Sequence, residues 1–193
     1  MGDGTAEAST VPTAEGAAAE AALYALFETL GIAFTHHVHP PFHTVEDSRV
    51  MRGDQPGAHV KNMFLKEKKG GLWLVTCLED RAMRIRDLEK AIGAKNVSFG
   101  KPDLLWEVLR VRPGAVTPFA LMVEEARQVR FVLDAGLAAH DVLNAHPLHN
   151  RATTAVRYAD FQRFLAHVGH DPLMLDMDPL EAAAEAHAAG AAS

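Results

Sequence analysis

Lys61 lies at the mouth of an apolar run, Val60-Lys61-Asn62-Met63-Phe64-Leu65. Side chains alternate across a strand, so Lys61 shares a face with Met63 and Leu65. An ammonium on a buried face is costly unless an anionic or polar group meets it there, which makes Lys61 a candidate functional cation. A strand-end lysine that snorkels to water is the alternative. The second candidate is Pro113-Gly114-Ala115-Val116-Thr117-Pro118. Glycine allows unusual dihedrals and Pro118 biases Thr117 towards extended geometry, so the loop could aim backbone N–H groups at a carbonyl or a developing oxyanion. It could equally be a plain connector. The turn Asn144-Ala145-His146-Pro147-Leu148-His149-Asn150 offers two imidazoles and two further amides, for acid–base work or simply for a satisfied turn. Finally, His36, His37, His39 and His43 cluster in sequence, but nothing near them has the ligand spacing of a metal site.

These groups need a scaffold. A chain of 193 residues, 48% apolar and 23% charged, suits one domain with a substantial core. The start lacks the basic and apolar regions of a signal peptide, and no apolar stretch could span a bilayer, so a cytoplasmic location is the expectation. Cys77 lies in the apolar run Leu72–Leu78 and reads as a buried, inert thiol. The net charge of −6 is uneven: residues 61–130 hold 14 Lys/Arg against 9 Asp/Glu, so a basic middle sits between acidic flanks. Such a middle permits contact with phosphates.

Residues 1–16 read as a disordered lead, 17–176 as the folded domain, and 177–193 as a loosely ordered Ala-rich tail with little apolar surface to dock it. Leu23, Leu26, Phe27 and Leu30 mark a first helix that Gly31 stops. Strands are expected at 32–38, 58–67, 72–78, 129–133 and 152–156. Helices are expected at 44–51, 80–92, 102–109 and 158–168. The class is α+β: a curled mixed sheet surrounded by helices.

In this order, His59-Val60-Lys61-Asn62-Met63-Phe64-Leu65, Gly114-Ala115-Val116-Thr117-Pro118, Val132-Leu133-Asp134, and His146-Pro147-Leu148-His149-Asn150 with Thr153-Thr154 resemble the prolyl-tRNA editing family. So do the helix Asp160–Leu165 and Gly169-His170-Asp171-Pro172. The likeness runs from about Ala22 to Leu175 and is greatest to the stand-alone, ProX-type Ala-tRNA(Pro) deacylases; the fold it implies is the YbaK-like, prolyl-tRNA synthetase-associated editing domain. The resemblance implies hydrolysis in trans, without metal or cofactor, of the ester on mischarged tRNA(Pro). Lys61 matches the family's essential lysine, Asn62 its polar neighbour and His146 a histidine near the substrate. Residues Gly114 to Pro118 would hold the aminoacyl group, with Val45, Val60, Met63 and Phe119 as pocket walls. The amine of Lys61 and the amides of 114–118 are expected to border one cavity. Partners would be the acceptor end of tRNA(Pro), with prolyl-tRNA synthetase or an elongation factor as a source of specificity. A non-catalytic tRNA- or DNA-binding protein using the basic middle is the alternative, and a small metallohydrolase built on the histidines a third reading.

Overall fold

The structure, a computed structural model, describes residues 12–41 and 55–191. The expected helix at 44–51, His43 and the proposed pocket wall Val45 lie outside the described residues.

Helix α1 (Ala14–Leu30) begins inside the expected disordered lead. The Thr13 hydroxyl accepts from the N–H of Gly16 at 3.2 Å, and the chain leaves the helix through Gly31 at φ 62°. β1 (Phe34–Val38) follows. Then come β2 (Ala58–Glu67) and β3 (Leu72–Leu78), the hairpin that the alternation and the Lys68–Gly71 turn had indicated. The helix expected over 80–92 shrinks to α2 (Ile85–Ala91), because the chain first turns at Leu78–Arg81 and sends Arg81 inward. β4 (Val97–Phe99), α3 (Pro102–Leu109), β5 (Val129–Asp134), β6 (Val142–Ala145), β7 (Ala152–Arg157), α4 (Tyr158–His167), β8 (Leu173–Leu175) and α5 (Asp178–Ala191) complete the order.

Among the described residues, eight strands form one mixed sheet in the order β1-β7-β6-β2-β3-β5-β8, with β4 beside β2. Parallel pairs are β2–β6, β3–β5 and β5–β8; the others run antiparallel. One face carries the larger core, where Phe64, Leu74, Phe131 and Leu143 meet Leu23 and Phe27 of α1, Leu105 and Leu109 of α3, and Phe161 and Phe164 of α4. The other face is covered by α2 and the start of α5, where Leu65, Trp73, Val75, Cys77 and Val132 meet Leu88, Met177 and Leu180. β3 is therefore apolar at nearly every position because both of its faces are buried. The tail is better docked than expected: Met177 is fully buried, and the Glu181 carboxylate accepts from Arg81 Nη1 at 2.6 Å.

Candidate active site

β2 supplies the centre of the site because its outer edge changes neighbours. β6 pairs with it only at Ala58 and His59, and β4 only from Leu65 to Glu67. Among the described residues no strand covers that edge from Val60 to Phe64, a window ~13 Å long at ~3.3 Å per residue. The Phe64 carbonyl accepts from Gly100 N on this edge at 2.9 Å, so by alternation the backbone N–H and C=O of Asn62 face the window. Just before the window the strands are clamped together. Asn144, 2% exposed, donates to the carbonyls of Pro56 at 3.0 Å and Ala58 at 3.3 Å, while its own oxygen accepts from Gln55 at 2.9 Å. Gly57 allows the approach: a β-carbon there would lie 2.8 Å from the Val142 carbonyl oxygen.

Lys61 and Asn62 border this window from opposite faces of the sheet. The Asn62 amide donates to the Val116 carbonyl at 3.0 Å and accepts from the buried Thr76 hydroxyl at 2.6 Å. The Lys61 ammonium is half-buried on the Met63–Leu65 face and donates to the Arg81 carbonyl. The sequence reading placed the lysine amine beside the 114–118 loop; the structure puts the asparagine amide there instead. The reason is the period-2 alternation that made Lys61 conspicuous at the outset. An ammonium has three donors, and Arg81 takes one of them.

The loop is held by its own hydrogen bonds and offers fewer amides than its length suggests. Gly114 takes φ 85°. Ala115 N–H closes a turn on Arg112 O at 3.0 Å, the Thr117 hydroxyl accepts from Phe119 N at 3.3 Å, and Pro118 has no N–H. The N–H groups of Gly114, Val116 and Thr117 donate to nothing among the described residues. In the planar trans peptide the Val116 carbonyl and the Thr117 N–H point oppositely, so the Asn62 bond aims the Thr117 N–H away from β2. Gly114 is exposed and Val116 partly so, whereas Ala115, Thr117 and Pro118 are buried. Phe119 is fully buried against the rings of Phe27 at 5.4 Å and Phe164 at 5.7 Å. It anchors the loop through packing and forms no open wall. Met63 is partly buried against the α2 face.

His146 follows β6 at the far side of the window. Its Nδ1 lies 3.0 Å from the Ala152 carbonyl, which can only accept, so the ring proton sits on Nδ1 and Nε2 keeps a lone pair. Burial pushes the imidazole below its ordinary range, partly offset by that carbonyl; the nearby His39 lowers it further and Glu79 raises it. Leu148, at φ 65°, is held in the left-handed region by its burial in the core, which fixes the turn after His146.

The histidine stretch has structural partners. Tyr24 hydroxyl bonds His36 Nδ1 at 2.6 Å and Thr154 Oγ1 at 2.7 Å, and His39 bonds Thr153 Oγ1 at 2.9 Å. Among the described residues no three His, Cys, Asp or Glu side chains converge to hold a metal ion. Cys77 is fully buried, and burial pushes its thiol up to about 12. Sequence reasoning missed Thr76 and Arg81: the register of β3 on β2 brings the Thr76 hydroxyl to Asn62, and the turn after β3 brings the Arg81 carbonyl to Lys61. No described helix is long and apolar enough to cross a membrane.

Residues 39–164 match the family described as the aminoacyl-tRNA editing domain. Prolyl-tRNA synthetase associated domain-containing protein 1 of Bos taurus is 38% identical over 168 residues, covering 84% of this chain and 98% of that protein. Prolyl-tRNA editing protein ProX of Acetoanaerobium sticklandii is 30% identical over 153 residues, covering 79% of this chain and 93% of its own length. Among solved structures, a candidate trans-editing enzyme for prolyl tRNA synthetase aligns with a TM-score of 0.60 at 17% identity, across 86% of this chain and 99% of that one. This last likeness concerns the fold.

Proposed function

The chain belongs to the aminoacyl-tRNA editing family, and from that premise we propose that it hydrolyses the ester of mischarged tRNA(Pro), with Ala-tRNA(Pro) as the main substrate. The observation that carries this reading is the bond from Asn62 to Val116, which ties a strand open at its edge to a loop with unused amides. An ester carbonyl placed at the window would gain negative charge on its oxygen as water attacks. Of the loop's amides, the unused N–H groups of Gly114 and Val116 would meet that charge, and preorganised donors of this kind lower a barrier. Asn62 holds the loop in register. Lys61, with donors to spare, anchors the terminal phosphate or ribose from the other side of β2. His146 Nε2 can accept a hydrogen bond from the water or from the terminal ribose, and the terminal 2′-hydroxyl assists in activating the water. The described residues contain no serine or cysteine nucleophile beside a histidine base, so direct attack by water is the simplest chemistry.

The biological logic is the double sieve. A pocket built for proline rejects alanine weakly, since missing methylenes are worth only ~1–3 kcal/mol, so a second and smaller site must clear the error. The test is a deacylation panel on Ala-, Cys-, Ser-, Thr- and Pro-tRNA(Pro). Fastest release from Ala-tRNA(Pro), with Pro-tRNA(Pro) spared and the rate unchanged by EDTA, is the expected result. No release from any mischarged tRNA(Pro) refutes the activity.

A further inference from the structure

β4 ends beside the open edge of β2. Phe99 stands opposite Leu65 in the register, and Gly100 N donates to the Phe64 carbonyl, so Phe99 borders the window at the end away from β6. Directly opposed residues of an antiparallel pair share a face, which puts Phe99 on the side of the sheet that carries Lys61 and Met63. Leu65 is fully buried there, yet Phe99 is 61% exposed. It is the one exposed aromatic ring among the described residues. A single apolar side chain at the surface carries no message by itself; its surroundings do.

Phe99 lines a groove of about 480 Å³ together with Lys66, Lys68 and Lys101. All three lysines are exposed, and none forms an ion pair among the described residues. The one acid that lines the groove, Glu67, is turned inward: its Oε1 accepts from Trp73 Nε1 at 2.8 Å and lies 4.0 Å from Arg130. Of the neighbouring acids, Glu89 accepts from the Val97 N–H at 2.8 Å, and Asp103 lies outside the groove. The turn after β2 is joined to the turn before β4 by the Lys68 N–H and the Asn96 carbonyl at 3.2 Å, so the exposed Lys69 and Lys95 extend the same positive surface. Uncompensated ammonium groups around a free ring match one chemistry well. Phosphates neutralise the lysines, and an unpaired base lays its flat face on the phenyl. A base inside a duplex has both faces covered and cannot do so.

We propose that Phe99 and the lysines of this groove receive the unpaired 3′ end of an RNA, with one base stacked on the ring and the adjoining phosphates on Lys66, Lys68 and Lys101. The groove adjoins the window, so a strand that delivers its terminal ester to the window passes over Phe99 within the preceding few nucleotides. That course rests on the editing reading; recognition of unpaired RNA at the groove does not.

The full chain is titrated with a fluorescently labelled short RNA ending in CCA, both free and paired along its whole length to a complement, and anisotropy is followed at several salt concentrations. The unpaired RNA should bind at least about tenfold more tightly than the duplex, and Phe99→Ala should weaken it about tenfold without changing the salt dependence. Phe99→Trp should restore the affinity. Lys66→Gln and Lys101→Gln together should weaken binding and reduce the slope of log affinity against log salt by roughly 1 to 1.5. Every substitution is at an exposed position, so the near-ultraviolet circular dichroism spectrum should be unchanged. On Ala-tRNA(Pro), Phe99→Ala should raise KM about tenfold and leave kcat within about twofold, because the ring does not reach the ester. Absence of RNA binding, wild-type affinity in Phe99→Ala, or a duplex bound as tightly as the single strand overturns the proposal. RNA binding that depends on Phe99 beside an unchanged KM overturns the course to the window and leaves the groove as an RNA site. The same dependence in a protein that deacylates no tRNA sinks the editing reading alone.

Discussion

Asn62 shows how one amide can carry a loop. Its oxygen is taken by the Thr76 hydroxyl at 2.6 Å and its nitrogen gives to the Val116 carbonyl at 3.0 Å, so neither end is free to flip. Asn62→Ala should leave a buried hydroxyl and a carbonyl without partners, lowering stability by ~1–3 kcal/mol. Loss of loop register should reduce Ala-tRNA(Pro) hydrolysis by about 100-fold. Asn62→Asp should be no better, since a carboxylate offers the Val116 carbonyl no donor. Thr76→Val, which keeps the Val116 bond, should retain most of the rate. Deacylation kinetics beside urea midpoints separate these effects, and an Asn62→Asp enzyme of full activity would remove Asn62 from the mechanism. Lys61 is the residue the sequence advertised best, an ammonium amid apolar neighbours. What it touches, a backbone carbonyl twenty positions on, depends on a turn that no local pattern encodes.

At the level of elements, β2, β3 and α3 fall where period-2 alternation, the Lys68–Gly71 turn and Pro102 placed them, because each is specified by its own residues. β4, β6 and β8 were not legible. They are three or four residues long, and β6 carries a polar residue, Asn144, at a buried position that its bonds to Pro56, Ala58 and Gln55 make tolerable. This matters for the site, since β6 forms one side of the window. Tertiary pairing likewise explains α5. Its alanines advertise no docking surface, yet Arg81, 8% exposed, holds Glu181 at 2.6 Å and the fully buried Asp134 at 3.0 Å. Asp134 also accepts from Leu78 N at 3.3 Å and Gly136 N at 2.9 Å, so one carboxylate fixes the end of β3, the turn after β5 and, through Arg81, the last helix. Asp134→Ala should leave a buried guanidinium without its main counter-ion and cost about 3–5 kcal/mol. Glu181→Gln, at the half-exposed end of the network, should cost under about 1 kcal/mol. Equal losses for the two in denaturant titrations would contradict the asymmetry seen in burial.

For the molecule as a whole, four imidazoles share one bias. His39, His146, His149 and His170 are all pushed below the ordinary 6.5, and burial is the largest cause in each. Between 6.5 and their lowered folded values the unfolded chain binds protons that the native state refuses. Stability therefore rises with pH through that window. The contribution is complete above 6.5 and is lost as the pH falls below it. Asp87 and Glu125 are also lowered, by Arg84 and Arg110 respectively, but their contribution persists until the pH falls through the ordinary carboxylate range. The histidine loss should thus set in at a higher pH than the carboxylate loss. The melting temperature should be level from pH 8 to 7, begin to decline below about pH 6.5, and fall further below about pH 4.5. Three of these histidines cluster where the ends of β1 and β6 meet the site, so the histidine loss should weaken that region before the α2–α5 side of the sheet. Amide exchange at pH 5.5 is the direct check: faster opening of β1, β6 and β7 than of β3 and β5 is expected. A melting temperature higher at pH 5.5 than at pH 8 would mean that the buried imidazoles gain a counter-charge in the fold, and the neutral His146 proposed for the reaction would lose its basis.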